Sequence, residues 1–361
     1  MLRWLFMSAD YILIRHDALS AFGRAILEAV AVPPREAALV ADSLVAANLR
    51  GVDSHGVQLL FWYAEQIQSG NIAVAARGHV ANESGACMLY NAEYGLGQVV
   101  SEICCDHVVR LARAHGVGVV TVRDSSHFGA CAWWAQKIAA EGMIAIVLCN
   151  AIPLVASWQG RDKILGTNPI CMAVPGPQSF LLDMATTTVA LNRIHKAVLS
   201  GDKEIPLGWA VDAAGNPTTD PQAALEGMPM PLGGYKGSGL ALMVEVLCAV
   251  LSGSAMLTEV GGLRVANRPM KVSHFFLAID AARFLPLDQF TSRMQSLRNT
   301  VKGSAPAAGF DEVLIAGDPE WRMEEQRLRD GIPVARGIWD QLTGLAGNLK
   351  VPLPAIVATK P

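Results

Sequence analysis

Residues 96–149, LGQVVSEICCDHVVRLARAHGVGVVTVRDSSHFGACAWWAQKIAAEGMIAIVLC, alternate helical and strand-like patterns and decide the fold class. Residues 96–115 place apolar side chains at helical spacing, and Gly116 ends this helix before the β-branched run 117–122. A second helical segment, 130–141, precedes a second strand-like run, 143–149. Two consecutive helix–strand units predict an α/β fold in which both strands share a sheet.

Helices precede this stretch, and a hairpin follows it. Residues 16–32 and 34–49 both show helical periodicity, and the second segment begins with prolines, which a first helical turn tolerates. Further along, the apolar runs 170–174 and 180–184 are separated by the turn-forming residues 175–177. These two runs predict a β-hairpin.

The C-terminal half contains one region of turns and several regular elements. Residues 206–231 are rich in Pro, Gly, Asp and Thr and predict an ordered loop region. Residues 237–251 predict a buried helix, 272–279 a strand, and 319–329 and 336–345 two terminal helices. No internal repeat or low-complexity linker marks a domain boundary.

Composition limits the classes of function. The chain has 361 residues, enough for an enzyme, and 52% hydrophobic against 17% charged residues, which favours an oligomer that buries apolar surface. The net charge of −3 and the lack of a Lys/Arg run argue against a nucleic-acid partner. Neither the N-terminal segment 1–15 nor the apolar helix, which carries Glu245, predicts a signal peptide or a membrane span. We expect a cytoplasmic protein with no membrane partner.

The seven cysteines predict reduced, mostly buried thiols. Cys104 and Cys105 are adjacent, but there is no C-x-x-C and no pair at zinc-ligand spacing. No metal site is therefore expected.

Residues 50–56, RGVDSHG, form the first candidate site. Glycines on both sides allow a tight turn that presents His55, the side chain that titrates nearest neutrality and serves most often in proton transfer. The alternative is that Asp53 and Ser54 cap the next helix and His55 is a surface residue.

Residues 125–129, SSHFG, form the second candidate. They follow the strand 117–122 and precede a helix, so His127 lies at a carboxyl end of a strand, where α/β sheets tend to bind ligands. Capping of the following helix by Ser125 or Ser126 is the alternative.

Two further segments suggest ligand binding. In residues 181–187, LLDMATT, Asp183 ends an apolar strand, where a carboxylate can orient a histidine, accept a ribose hydroxyl or cap a helix. In residues 233–239, GGYKGSG, a glycine-rich turn begins a long helix, where backbone amides and Lys236 can hold a phosphate. This turn is not a Walker A loop, because Gly237 stands where the hydroxyl residue should follow Lys236.

Several common sites are excluded. No G-x-G-x-x-G stands between a strand and a helix, so an ordinary Rossmann dinucleotide site is not supported. H-x-x-x-H and G-x-S-x-G are also absent, which argues against a zinc hydrolase and a serine hydrolase.

Six motifs together resemble the malate/L-lactate dehydrogenase family, which includes ureidoglycolate, diketogulonate, sulfolactate and piperideine-carboxylate reductases. Their order and spacing match over nearly the whole chain. They are NLRGVDSHG, DSSHFGA, GTNPI with AVP, LDMATT, PLGWAVDAAGNPTTDP and PLGGYKGSGLALMVEVL. The resemblance implies a non-Rossmann nicotinamide-binding α/β fold with a mostly antiparallel mixed sheet flanked by helices, a helical N-terminal/C-terminal domain, and a homodimer.

The resemblance also implies residue roles. It assigns acid/base chemistry to His55 and His127, with Asp183 as a third catalytic residue, and substrate contacts to Ser54 and Thr167. NAD or NADP is the implied cofactor. The residues implied to bind it are Asp183, Met184, Ala185, Thr186, Tyr235, Lys236, Gly237, Gly317 and Asp318.

Three departures from the family pattern bear on the substrate. Leu59 stands where many relatives have an arginine suited to clamp the substrate carboxylate. Ala151 and Ile152 replace a Ser-Asp pair of ureidoglycolate-type members, and Arg193 is the candidate replacement for a lysine. We therefore expect a more apolar pocket.

The predicted activity is NAD(P)-dependent interconversion of a small 2-oxo acid and its 2-hydroxy acid by hydride transfer. The alternatives are reduction of a cyclic imino acid and a catalytically silent member that binds the cofactor. For the domains, we expect a helical and substrate region, 8–120 with the helices of 320–361, and a cofactor-binding mixed-sheet region, 121–319.

Overall fold

A seven-stranded mixed sheet is the largest sheet of the computed structural model, which describes residues 10–266 and 268–360. The strands, in chain order, are β1 Tyr11–Ile14, β2 His79–Ser84, β3 Cys87–Asn91, β4 Val117–Ser125, β5 Met143–Cys149, β6 Ile170–Val174, β7 Phe180–Met184, β8 Ala210–Val211, β9 Pro217–Thr218, β10 Met228–Pro229, β11 Val272–Asp280, β12 Ile332–Ala335 and β13 Ile356–Lys360. The α-helices are α1 His16–Ala29, α2 Pro34–Leu49, α3 Leu60–Gln68, α4 Gly97–His115, α5 Cys131–Ala140, α6 Leu191–Ser200, α7 Pro221–Glu226, α8 Tyr235–Glu245, α9 Leu287–Lys302, α10 Asp318–Asp330 and α11 Arg336–Leu349.

The order in the large sheet is β2-β3-β4-β11-β5-β6-β7, and only β3 and β4 pair in parallel. The predicted α/β fold with a mostly antiparallel mixed sheet is confirmed. β4 and β5 share this sheet as expected, but β11 lies between them and is antiparallel to both. The predicted hairpin is formed by β6 and β7.

Helices cover the sheet and share its core. The α2 helix buries Val40, Leu44 and Val45, while Trp134 of α5 is fully buried in the same hydrophobic cluster. This cluster extends from Ile12 in β1 to the α11 side chains, so N-terminal, sheet and C-terminal elements bury one continuous apolar surface. The predicted domain boundary at 120/121 falls inside β4.

The three-stranded sheet β12-β1-β13 brings the two ends of the described chain together, and both pairings in it are antiparallel. These short strands were not predicted. The α10 helix packs against α2, and α11 packs against α1 and α3.

Two predictions in the C-terminal half were wrong. Residues 206–231 contain the small sheet β10-β8-β9 and helix α7, whose N-terminus is capped by the Asp220 side chain. The helix predicted as buried begins at Tyr235 and continues through a π-helical turn, Val246–Val250. It buries only one side, including Val244 and Cys248, against the sheet. Its outward side, here named the apolar face of α8, consists of Leu240, Leu242, Met243, Val246, Val250 and Leu251, all exposed.

Six cysteines are buried, Cys87 is exposed and all seven are free. Among the described residues, no helix combines the length and the hydropathy that crossing a bilayer requires.

Candidate functional site

The imidazole rings of His55 and His127 stack face to face, with their centroids 5.7 Å apart and their planes inclined by 16°. The two motifs that carry them are therefore brought together in space. Each ring is partly exposed. Two adjacent imidazoles at one opening form a site that can exchange a proton with a ligand.

The turn that carries His55 is anchored by its neighbours. Asp53 receives hydrogen bonds from Asn48 Nδ2 at 2.6 Å and from Arg327 at 2.6 and 3.0 Å. Gly56 lies so close to Asn48 that an added Cβ would be 2.2 Å from its Oδ1. Ser54 Oγ is 2.9 Å from Nδ1 of His55. The Asp53–Arg327 ion pair and the close packing of Gly56 on Asn48 together hold the His55 imidazole at the end of α2.

Neither capping alternative holds for these motifs. Asp53 binds Arg327 and Asn48, and the helices that follow it have no side-chain cap. Ser126 Oγ donates to the carbonyl oxygen of Gly95, and Ser125 Oγ contacts Nε2 of the buried His274 at 2.9 Å. The α5 helix likewise begins without a side-chain cap. The polar residues of both motifs are thus used to hold the loops.

Behind His127 lies a chain of hydrogen bonds from two helices. Tyr63 Oη of α3 lies 2.7 Å from Nδ1 of His127, and Gln98 Nε2 of α4 donates to Tyr63 Oη at 2.6 Å. The backbone N–H of Gly129 also points at Nδ1, at 3.3 Å. Tyr63 and Gln98 are fully buried, so this chain fixes the ring orientation.

The Tyr63 hydroxyl has two acceptors, Nδ1 and the carbonyl oxygen of His127, the latter at 3.2 Å. When its proton goes to the carbonyl oxygen, Nδ1 can keep a proton and donate to Tyr63 Oη at the cost of the hydrogen bond from the Gly129 N–H, which leaves a lone pair on Nε2. When the Tyr63 proton goes to Nδ1, Nε2 carries the ring proton instead. The arrangement therefore lets Nε2 either accept or donate a proton.

Burial keeps both site histidines neutral. It lowers the pKa of His55 to about 4, with the Arg264 guanidinium acting in the same direction. It lowers the pKa of His127 to about 3, where His55, His274 and Arg264 add to the effect. The fully buried His274 behaves alike, with its pKa lowered to about 3 by burial. At pH 7 the imidazoles are accordingly uncharged in the ligand-free protein.

Acid is expected to destabilise the protein through these histidines. Their pKa values are below the unfolded value of about 6.5, so stability is complete above that pH and is lost as the pH falls towards the folded values of 4 and 3. At pH 5 the loss reaches about 2 kcal/mol for each histidine that stays neutral in the fold.

Reversible urea unfolding at pH 7.5 and at pH 5 measures this loss. His274→Gln is expected to reduce the difference between the two pH values by up to about 2 kcal/mol. Equal pH dependence of the variant and the parent protein would contradict the prediction.

A cavity of about 470 Å³ opens beside His55. It lies between the first motif, the loop before α5, the end of β7 and the segment before α10. The predicted site residues on its wall are Ser54, His55, Thr167, Asp183, Met184, Ala185 and Gly317. Residues of four motifs therefore line one cavity. His127 does not line it but stacks on His55, which does.

Asp183 is an acidic residue of this wall that contacts the start of α5. Its carboxylate accepts the backbone N–H of Ala132 in α5 at 2.9 Å and remains open to solvent in the cavity. Desolvation by the surrounding protein raises the pKa of Asp183 to about 6, whereas the Ala132 N–H and the Arg50 guanidinium act to lower it. At pH 7 the carboxylate is mostly ionised and can accept hydrogen bonds from a ligand.

The other predicted cofactor residues lie outside the cavity wall. Thr186 is buried and bonds the Thr167 carbonyl oxygen, while Tyr235 and Lys236 are exposed at the start of α8. Gly237 lies against the Thr186 segment: an added Cβ would be 2.5 Å from the Thr186 carbonyl oxygen, which also accepts the Leu232 N–H. The buried carboxylate of Asp318 forms ion pairs with Arg298 and Lys302 of α9.

The sequence motifs did not identify every residue of the site. Tyr63, Gln98 and Arg327 belong to no motif, and only the folded chain brings them to the histidines. Arg50 stood inside the first motif without an assigned role, yet it lines the cavity. Among the described residues, no cluster of three His, Cys, Asp or Glu side chains is arranged to hold a metal ion.

Comparison with known proteins gives the family. A family model described as malate/L-lactate dehydrogenase matches residues 14–343. Malate dehydrogenase of Pyrococcus abyssi is 37% identical over 355 residues, which covers 96% of this chain and 97% of that protein.

Solved structures agree with this match. The sulfolactate dehydrogenase from Methanocaldococcus jannaschii superposes with a TM-score of 0.89 at 34% identity, covering 95% of this chain and 98% of that one. The Δ1-piperideine-2-carboxylate reductase from Pseudomonas syringae has a TM-score of 0.81 at 26% identity and covers 92% and 99%. The family resemblance drawn from the six motifs is confirmed. The chain belongs to the malate/L-lactate dehydrogenase family, and it is an oxidoreductase of the dehydrogenase class.

Proposed function

We propose that the protein interconverts a small, malate- or lactate-like 2-hydroxy acid and its 2-oxo acid with NAD or NADP. His55, His127 and Asp183 are the proposed catalytic residues, and Ser54 and Thr167 the proposed substrate contacts. The observation that carries the proposal is the stacked histidine pair beside a cavity with an ionised carboxylate.

The cavity has the features that a nicotinamide dinucleotide needs. Its volume of about 470 Å³ lies within the roughly 300–1,000 Å³ usual for small-molecule sites. The Asp183 carboxylate can accept ribose hydroxyl groups, and Gly317 lines the cavity without a side chain of its own. Gly317 has φ of 101°, and an added Cβ would be 2.7 Å from the Trp321 ring. When bound, the nicotinamide supplies the hydride acceptor or donor.

The protein moves the proton. In the oxidative direction, Nε2 of His127 accepts the proton of the substrate hydroxyl as the C–H hydrogen leaves as hydride. In the reductive direction, the imidazolium returns this proton to the carbonyl oxygen. Tyr63 and Gln98 hold the ring throughout. His55 is stacked on His127, so protonation of one ring disfavours protonation of the other.

Substrate choice is the finer part of the proposal. Leu59 is buried in the hydrophobic core and offers no charge where many relatives have an arginine. A second candidate is reduction of a cyclic imino acid, and the structural similarity to the Δ1-piperideine-2-carboxylate reductase supports it.

Oxidation of NADH and NADPH with a panel of 2-oxo acids and cyclic imino acids tests the proposal, with absorbance of the reduced cofactor as the measurement. Turnover of a 2-oxo acid supports the first candidate, and turnover of imino acids alone supports the second. Calorimetric binding of the cofactor with no turnover of any compound would refute both and favour a catalytically silent member.

We also propose a homodimer, with the apolar face of α8 in its interface. Six apolar side chains on one element form a contiguous exposed surface, which a second copy would remove from water. Met243→Glu/Val250→Glu is expected to convert the dimer into monomers, because each interface would bury four unpaired carboxylates. Light scattering after size-exclusion chromatography measures the mass.

Phe284→Glu is the control, because Phe284 is 80% exposed on another element. This variant is expected to stay dimeric. A monomeric parent protein, or an unchanged mass of the double variant, would disprove the interface.

The seven free thiols fit a reducing compartment, and the cytoplasm is the proposed location.

A further inference from the structure

Arg50 is a buried cation that lacks a partner. It ends α2 and is only 7% exposed. Its Nε and Nη1 atoms are buried and make no hydrogen bond. Within residues 10–266 and 268–360, no ion pair or side-chain hydrogen bond involves its guanidinium. Buried guanidinium groups are normally paired, because an unpaired donor loses the hydrogen bonds that water would give it.

The position of Arg50 shows what the partner can be. The side chain lines the same cavity as Ser54, His55 and Asp183, and it is the one Lys or Arg on the described wall. The Asp183 carboxylate is near enough for the Arg50 charge to lower its pKa, but the two groups form no ion pair. An arginine is a planar fork of donors that matches two oxygen atoms of a carboxylate or a phosphate.

We propose that Arg50 anchors a ligand oxyanion in this cavity. In chemical terms, the guanidinium donates to two oxygens of one anionic group while His55 and His127 lie at the reacting end. Two sources supply such a group, the substrate carboxylate and the dinucleotide phosphate. Which of these two anions binds depends on the proposed function. That an anion binds at Arg50 does not depend on it. For the substrate source, Arg50 takes over the role that the leucine at position 59 cannot perform.

Two negative groups share the cavity and limit the site. Asp183 and Glu320 both line the wall. The anion is therefore expected on the Arg50 side of the cavity, and Asp183 is free for hydroxyl groups of a ligand.

Calorimetric titration of the full-length protein with oxalate and with pyrophosphate tests the inference without any turnover. Oxalate probes a carboxylate site and pyrophosphate a phosphate site. We expect Arg50→Gln to weaken the binding of at least one of them by 10-fold or more, the usual effect of losing a charged bidentate contact. Arg293→Gln removes an exposed arginine of α9 and is expected to leave both affinities unchanged.

The pattern identifies the source of the anion. Weakened oxalate binding alone assigns Arg50 to the substrate, weakened pyrophosphate binding alone assigns it to the cofactor, and loss of both assigns one shared site. Arg50→Lys keeps the positive charge but loses the planar pair of N–H donors, so it is expected to weaken binding of the affected anion about 5-fold. This second variant decides the matter if Arg50→Gln does not fold.

The inference is overturned if the parent protein binds neither anion, or if the Arg50 variants bind both as tightly as the parent protein does. If Arg50 has only a structural role, its variants are expected to have a lower melting temperature and unchanged affinities for both anions. A protein that binds anions through Arg50 but turns over no compound of the panel would refute the proposed function and retain this site.

Discussion

His127→Ala is expected to lower kcat by about 100-fold or more in the direction that the substrate panel identifies, the usual scale of general acid–base catalysis. The Nε2 atom of His127 is the proposed proton carrier, and the Tyr63 hydroxyl holds the opposite ring nitrogen, Nδ1, at 2.7 Å. His55→Ala is expected to have a comparable effect, because it removes the ring that stacks on His127 and lines the cavity. Steady-state kinetics gives the rates.

Binding of the cofactor separates chemistry from folding. Both histidine variants are expected to bind NADH or NADPH with nearly the affinity of the parent protein in calorimetry, since the cofactor contacts are assigned to Asp183 and to the Gly317 segment. His79→Ala, which changes an exposed histidine paired with Glu93, is the control and is expected to keep the full rate. Full activity in both site variants would show that proton transfer is wrongly assigned.

Tyr63→Phe probes the ring orientation. The hydroxyl touches His127 but no cavity wall, so Tyr63 is a positioning residue. Its loss is expected to lower kcat while KM stays close to that of the parent protein, and to change the pH profile of kcat because the tautomers of His127 lose their partner. A change in melting temperature without a change in the pH profile would indicate a structural role only.

Local patterns predicted the units of the sheet but not their neighbours. Glycine, β-branched runs and helical spacing located α4, β4, α5 and β5 within a few residues. The strand between β4 and β5 is β11, which follows much later in the chain, and its place depends on backbone pairing over a long sequence separation. No local pattern contains that information.

The α8 helix shows a second limit. Its sequence is apolar on nearly all sides, which predicts burial on every side. In the structure, one side packs on the sheet and the other is exposed. Hydropathy indicates how much apolar surface of a helix is favourably buried. It does not indicate whether the same chain or a second copy buries that surface.

The site was predicted in part. The motifs pointed to His55 and His127, because glycine-containing polar loops are recognisable in a sequence, and to Asp183, because it is a carboxylate at the end of an apolar strand. Tyr63 and Arg327 act from the interior of helices with ordinary periodicity, where a tyrosine or an arginine does not differ from one that merely packs. Their roles follow from distances between atoms that are remote in the chain.

Asp53→Ala is expected to destabilise the protein by about 3 kcal/mol, because it leaves a buried charge without its counter-ion. The Arg327 side chain is only 5% exposed and gives two hydrogen bonds to this carboxylate. The same change removes the acceptor of the Asn48 side chain and so loosens the turn that holds His55. The rate is therefore expected to fall together with the stability. Urea unfolding and steady-state kinetics measure the two effects.

A double variant separates them. Asp53→Ala/Arg327→Met removes both charges, so it is expected to regain much of the stability that the single variant loses, since no buried guanidinium is then left without its counter-ion. It does not restore the anchor of the His55 turn, and its rate is expected to stay low. Glu312→Ala is the matched control, because it breaks an ion pair with Arg322 in which both side chains are exposed, and it is expected to cost less than about 1 kcal/mol. If Asp53→Ala costs no more than this control, Arg327 does not depend on the carboxylate. If the double variant regains the full rate, the ion pair serves the stability of the fold and not the position of His55.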